Sequence, residues 1–155
     1  MATENQNSNH LLLDTLPSAK GLRFALVVSH WNSEITENLY EGAKNILSQK
    51  NASQIDRIDV PGSFELVYAS RSAIDRDYDA VIAIGSVIRG ETSHFDYVCQ
   101  GVTNGIQQLS ALGYTPVIFC VLTDDNLDQS RARSGGSLGN KGVEAAAAAI
   151  QMARL

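Results

Sequence analysis

The chain has 155 residues, 44% of them hydrophobic, which is the length of one domain with enough apolar surface for a packed core. Lysine and arginine number 12 against 17 acidic residues, a formal net charge of −5. This balance, with no basic run, argues against nucleic-acid binding, which needs clustered cations, and apolar runs such as Ala80 to Ile84 are too short to cross a bilayer.

Residues 1–20 read as a polar N-terminal leader with one apolar patch, Leu11 to Leu13, and residues 21–155 as a single domain. The first ten residues lack a basic segment followed by an apolar one, so no secretory signal is expected and the expected location is cytoplasmic. From Arg23 to Ser29 the chain reads RFALVVS, an apolar and β-branched run of strand length. Asn32 or Ser33 is placed to cap the helix that follows, whose apolar residues Ile35, Leu39, Ala43, Ile46 and Leu47 recur at helical spacing. A second strand, Ile55 to Val60, stops at Pro61-Gly62, and Leu66, Val67, Ser70, Ala73 and Ile74 mark the face of a second helix.

Ala80 to Ser86 is an almost unbroken apolar run, as a central parallel strand requires when both its faces are covered. Ser93 is placed to cap a third helix, with Asp96 at the capping-box position. The stripe of that helix runs from Phe95 to Leu109, and Gly113 suits its end. Pro116 to Leu122 is a fourth strand. Thr123 or Asp124 then caps a short helix ending at Gly135-Gly136, and Asn140 opens an alanine-rich last helix. The order β-α-β-α-β-α-β-α-α implies a three-layer α/β/α sandwich around a four-stranded parallel sheet.

Ligands in such sheets sit beyond the carboxyl ends of the strands. The segment 85–94 leaves a buried strand and enters a helix, whose free first-turn amides favour an anion. Gly90, Glu91 and Thr92 lie in that turn, and His94 supplies an imidazole, the side chain that most readily moves protons near neutrality. An ordinary capped helix with an exposed histidine is an equally good account of the pattern alone. Trp31 follows the first strand directly, where an aromatic ring can stack on a planar heterocycle or simply cover the core edge. Its neighbour Asn32 reads first as a helix cap. Ser63, Phe64 and Glu65 follow the second strand, and Glu65 either binds ligand or satisfies the helix dipole. Arg131, Arg133 and Lys141 bracket the glycine-rich turn 135–139, either as an anion site or as a solvated basic turn. Asp124, Asp125 and Asp128 read as an acidic helix start. The two cysteines, Cys99 and Cys120, form no C-x-x-C pair and sit in apolar runs, so both are expected to be buried thiols. His10, His30 and His94 are far apart, and no metal site is expected.

Three segments in a fixed order carry more than any of these alone: VPGSFEL at 60–66, GSVIRGETSHFDYVC at 85–99 and GNKGVEAA at 139–146. Together they resemble the lumazine synthase (6,7-dimethyl-8-ribityllumazine synthase) family, and the similarity runs from about Gly21 to Leu155. The resemblance implies a flavodoxin-like fold and a transferase of riboflavin biosynthesis that works without a cofactor. Its reaction joins 5-amino-6-(D-ribitylamino)uracil to 3,4-dihydroxy-2-butanone 4-phosphate. By the same resemblance His94 transfers protons, Trp31 and Asn32 meet the heterocycle, Ser63, Phe64 and Glu65 meet the ring and ribityl chain, and the backbone of Val87 and Ile88 reads the pyrimidine. Glu91, Thr92 and Arg133 bind phosphate, while Phe119 and Lys141 complete the substrate pocket from a neighbouring subunit. The implied partners are copies of the chain itself, in pentamers and, in some relatives, decamers or 60-subunit shells, with riboflavin synthase as a further partner. Trp31, where the family more often has Phe, extends the expectation to binding of riboflavin itself. Two other classes compete with this reading: a flavin-binding module of the same fold, and a shell or carrier protein without catalysis.

Overall fold

The computed structural model describes residues 13–155. The polar leader's first twelve residues, Leu11 and Leu12 of its apolar patch among them, lie outside the described residues. Four parallel strands form one sheet in the order β2-β1-β3-β4: β1 (Arg23–Ser29), β2 (Gln54–Val60), β3 (Ala80–Ile88) and β4 (Val117–Asp124). The crossovers are helices α1 (Ser33–Gln49), α2 (Leu66–Ile74) and α3 (His94–Leu112), followed by α4 (Leu127–Arg133) and α5 (Lys141–Met152). This is the three-layer α/β/α arrangement expected from the strand-helix alternation.

The inner strands are apolar throughout because each presents alternate residues to two cores. Phe24, Leu26 and Val28 of β1 join Ile82 and Ile84 of β3 against α1 and α5, among Leu39, Leu47 and Ile150. Ala25 and Val27 join Val81 and Ala83 on the other face, against Leu66 of α2 and Val102 and Ile106 of α3. The helical stripe of α1 is realised in full, since Ile35, Leu39, Ala43, Ile46 and Leu47 are all buried. In α3 only Phe95, Val102 and Ile106 are buried, so its stripe is partly open.

The segment after Leu12 is less detached than its polarity suggests. Leu16 and Ala19 are buried in the core with Leu22, the Lys50 ammonium donates to the carbonyls of Leu13 and Leu16 at 3.0 Å each, and Ala19 N donates to Lys50 O at 2.7 Å. Leu13, Leu16, Ala19 and Leu22 recur at every third position, but Pro17 and Gly21 interrupt the stretch and it reads as neither helix nor strand. Between α4 and α5 the glycine-rich turn is a small antiparallel hairpin, β5 (Ser134–Gly136) and β6 (Gly139–Asn140).

The strand and helix ends differ from the sequence reading in several places. Asn32 sits at the start of α1 in the left-handed region (φ 58°, ψ 47°), and its side chain makes no cap; instead Nδ2 donates to Ser86 O at 2.9 Å. Neither Thr123 nor Asp124 caps α4: both belong to β4, and the cap is Asn126, whose side chain accepts from Gln129 N. Ser93 makes no side-chain cap on α3, and Asp96 turns to Arg89 at 3.2 Å rather than closing a capping box. Asn140 does cap α5, accepting from Gly142 N at 2.8 Å. Cys120 is buried, and burial pushes its thiol up to about 12, whereas Cys99 is only half-buried, contrary to the expectation for both. Among the described residues no helix is long and apolar enough to cross a membrane.

Candidate active site

The ends of β1, β2 and β3 meet in one cleft of about 600 Å³. The loop after β1 is built onto the loop after β2, with His30 N donating to Val60 O and Trp31 N to Pro61 O. Buried Thr36 closes the end of β1 by donating its hydroxyl to Ser29 O at 2.8 Å. The left-handed turn at Asn32 then throws Trp31 outward. That backbone conformation costs most L-residues about 1–2 kcal/mol, and Asn is among the few that visit it routinely. The tie from Asn32 to Ser86 O fastens this turn to β3, so the residue first read as a cap is a cross-strand fastener.

The indole of Trp31 is 73% exposed, and Phe64 and Tyr97 are 60% and 72% exposed around the same cleft. Three large aromatic rings left open around one concavity are a surface made to be covered. At its floor, Gly62 is close to both Trp31 and Glu65: a Cβ there would stand 3.2 Å from Trp31 Cδ1 and 3.1 Å from Glu65 Oε2. The Glu65 carboxylate is exposed and makes no hydrogen bond or ion pair among the described residues. Ser63 and Ser86 also line the cleft, and both hydroxyls are buried without a partner among the described residues. A buried hydroxyl left unpaired costs about 1–3 kcal/mol, which a ligand's polar groups would offset. Gly85 makes this floor possible, because a Cβ there would stand 2.7 Å from Ser63 Oγ and 2.9 Å from Leu66 Cδ1.

His94 is the first residue of α3 and its exposed imidazole lines the cleft with Val87 and Ile88. Glu91 and Thr92 are exposed in the turn before it; Thr92 Oγ1 accepts from His94 N at 3.4 Å, but neither side chain lines the cleft wall. The turn is anchored by Arg89. Its guanidinium lies 4.1 Å from the centre of the Phe95 ring and bonds Asp125 at 2.9 Å and Asp96 at 3.2 Å, while its amide donates to Asp124 O.

Trp31, Asn32, Ser63, Phe64, Glu65, Val87, Ile88 and His94 therefore share one cleft. Phe119, Arg133 and Lys141 do not join it. They line a second cleft of about 540 Å³ on the outer side of β4, between α4 and α5. There Phe119 is 41% exposed, Lys141 Nζ donates to both Glu144 oxygens at 2.8 Å, and Arg133 NH1 donates to Gln129 O at 3.0 Å. A model of the 6,7-dimethyl-8-ribityllumazine synthase family matches residues 21–155.

The chain belongs to the 6,7-dimethyl-8-ribityllumazine synthase family. It is 52% identical to the 6,7-dimethyl-8-ribityllumazine synthase of Christiangramia forsetii, over 100% of this chain and 95% of that protein. With the synthase of Flavobacterium johnsoniae the identity is 56%, over 99% and 82% of the two chains. With that of Salinibacter ruber it is 51%, over 87% and 88%. The lumazine synthases are transferases of riboflavin biosynthesis, so the flavodoxin-like fold and the enzyme class follow from the match.

Several residues of this lumazine synthase site were absent from the sequence reading. Tyr97 lies three positions after His94, on the same side of α3, so helical spacing was sufficient to find it. Glu144 bears the same relation to Lys141. Ser86 had no such signal, because a serine in an apolar strand reads only as a buried small residue. Asp124, expected in an acidic start to α4, is instead the last residue of β4, buried, where Ser130 donates to it at 2.7 Å.

Proposed function

We propose that the chain condenses 5-amino-6-(D-ribitylamino)uracil with 3,4-dihydroxy-2-butanone 4-phosphate to 6,7-dimethyl-8-ribityllumazine, releasing phosphate and two waters. The observation that carries this reading is the gathering of Trp31, Ser63, Glu65 and His94 in one cleft at the carboxyl end of the sheet. A planar pyrimidine stacks on the Trp31 ring and takes hydrogen bonds from the backbone of Val87 and Ile88. Ser63, its hydroxyl unpaired among the described residues, and Glu65 meet the ribityl hydroxyls and ring N–H groups. The phosphate of the second substrate sits at the start of α3, where free amides and the helix dipole attract it, beside Glu91 and Thr92.

The uracil's amine attacks the ketone to give an imine with loss of water. A proton is then removed beside the imine, and the phosphate leaves. Ring closure and a second loss of water give the lumazine. His94 lines the cleft at the junction of the two substrate positions and moves these protons.

Arg133, Lys141 and Phe119 complete the phosphate and ring contacts from a neighbouring copy, since in one chain they line a separate cleft. Pentamers, and decamers or shells built from them, meet this need because a cyclic ring places one face of each copy against a different face of the next. A cytoplasmic location and passage of product to riboflavin synthase accord with the same reading.

The test is direct. Purified protein given both substrates should form the lumazine chromophore with equimolar phosphate, and its mass by light scattering should be a multiple of five chains. A flavin bound without product, or a shell without product, would overturn the reaction. The stacking role of Trp31 has its own readout: the only tryptophan in the chain should lose emission when riboflavin or the lumazine is added. Emission unchanged at saturating ligand would remove Trp31 from the ring site.

A further inference from the structure

Asp124 is the least expected group in the second cleft. It is the last residue of β4 and only 7% exposed. Burying a carboxylate is costly unless it is paired and hydrogen-bonded. Its partners are few and directional. Oδ2 accepts from Ser130, whose side chain is fully buried, at 2.7 Å. Oδ1 faces Arg133 Nε at 3.9 Å, an ion pair just beyond hydrogen-bond length. Ser130 and Arg133 are three residues apart on α4, so both face β4. On its other side Arg133 donates NH1 to Gln129 O at 3.0 Å. The guanidinium is thus restrained at Nε and NH1, and its NH2 group has no partner among the described residues.

We propose that Asp124 is a positioning residue for Arg133: Ser130 fixes the carboxylate, the carboxylate holds the Nε edge of the guanidinium, and the NH2 edge is left turned to the phosphate of the ketone substrate. This rests on the reading of Arg133 as a phosphate-binding group. A buried carboxylate needs a charged partner for the fold's sake too, so what sets a positioning role apart is its effect on phosphate affinity with the uracil's KM unmoved. Arginine binds phosphate through two parallel N–H bonds, so its value depends on orientation as well as charge. A charged neighbour on the far edge sets that orientation before the anion arrives.

The experiment uses the assembled enzyme with Asp124→Asn and Ser130→Ala. Asn keeps the shape and an acceptor for Ser130 but removes the charge that holds Arg133. The KM for 3,4-dihydroxy-2-butanone 4-phosphate should rise about tenfold, the size of one hydrogen bond's net contribution. The KM for the uracil should not move. Inorganic phosphate, titrated by calorimetry, should weaken in parallel. Ser130→Ala should shift phosphate in the same direction by less, and it carries the test if Asp124→Asn does not fold. Phosphate affinity that is unchanged or tighter in a folded variant, or equal losses for both substrates, would overturn the proposal. If the parent makes no lumazine yet binds phosphate, the reaction fails while calorimetry still decides the role of Asp124. A parent that binds no phosphate would overturn the reading of Arg133 and this proposal with it, whatever the chromophore assay shows.

Discussion

His94→Ala is expected to lower turnover by about 10²–10⁴-fold, the usual contribution of a positioned general acid or base. The fold should not notice the change. The imidazole is exposed and makes no hydrogen bond or ion pair among the described residues, and its backbone amide, which reaches Thr92 Oγ1, is kept in the variant. Alanine is also a good residue for the first turn of α3. The thermal midpoint should therefore stay within roughly 2 °C of the parent, less than a loss of 1 kcal/mol would produce. Activity should not vanish. The open aromatic rings and the unpaired groups of Ser63, Ser86 and Glu65 still hold the reactants together, and proximity alone is worth about 7–11 kcal/mol at best. For the same reason the KM for the uracil should change little, since stacking and ribityl contacts lie elsewhere. Steady-state kinetics with both substrates, beside a thermal melt, checks all of this. Turnover within about twofold of the parent would remove His94 from the proton transfers.

The parts of the site legible in the sequence are those whose position follows from the sheet. An unbroken apolar run such as Ala80 to Ile84 has one physical meaning in a chain that alternates strand and helix, a central strand with both faces covered, and its end then marks the ligand side. Trp31, Ser63 and His94 each follow a strand closely, so their meeting was deducible. The misread residues are short polar side chains. Asn32, Ser93, Asp96 and Asp124 each have local capping geometry open to them, and local spacing reveals only that option. Asn32 bonds across to Ser86 O, Asp96 turns to Arg89, and Asp124 bonds to Ser130. Ser86 is 54 positions from Asn32, while Arg89 and Ser130 are seven and six positions from their partners; these last two are near in sequence but off the capping spacing, and only the fold brings them into reach. The division of the site into two clefts was likewise beyond periodicity. Nothing in the spacing of Phe119, Arg133 and Lys141 says that they open on the outer side of an edge strand.

That division leads to the sharpest expected result, from a mixture of two impaired proteins. Arg133→Ala should raise the KM for the phosphate-bearing substrate steeply, because a charge-assisted, two-pronged contact is lost. With the phosphate-bearing substrate near the parent's KM, neither this variant nor His94→Ala alone turns over well. Each pocket, however, needs His94 from one copy and Arg133 from the next, since in a single chain the two line different clefts. If the variants are unfolded together and refolded as mixed rings, some pockets receive His94 from an Arg133→Ala chain and Arg133 from a His94→Ala chain. For equal amounts and random placement about one pocket in four is intact, because the contact in a closed ring is between unlike faces. The mixture should then show about a quarter of the parent's activity, with the parent's KM for the phosphate-bearing substrate. A pocket assembled within one chain allows no such recovery, since every chain in the mixture carries a lesion. Activity no greater than the average of the two variants refolded separately would place His94 and Arg133 in one chain's pocket. Yield is controlled by taking each variant alone through the same unfolding and refolding. His94→Ala keeps Arg133 and with it the parent's KM, so the rise in rate at that KM, above either refolded variant, is what reports a pocket built from two chains.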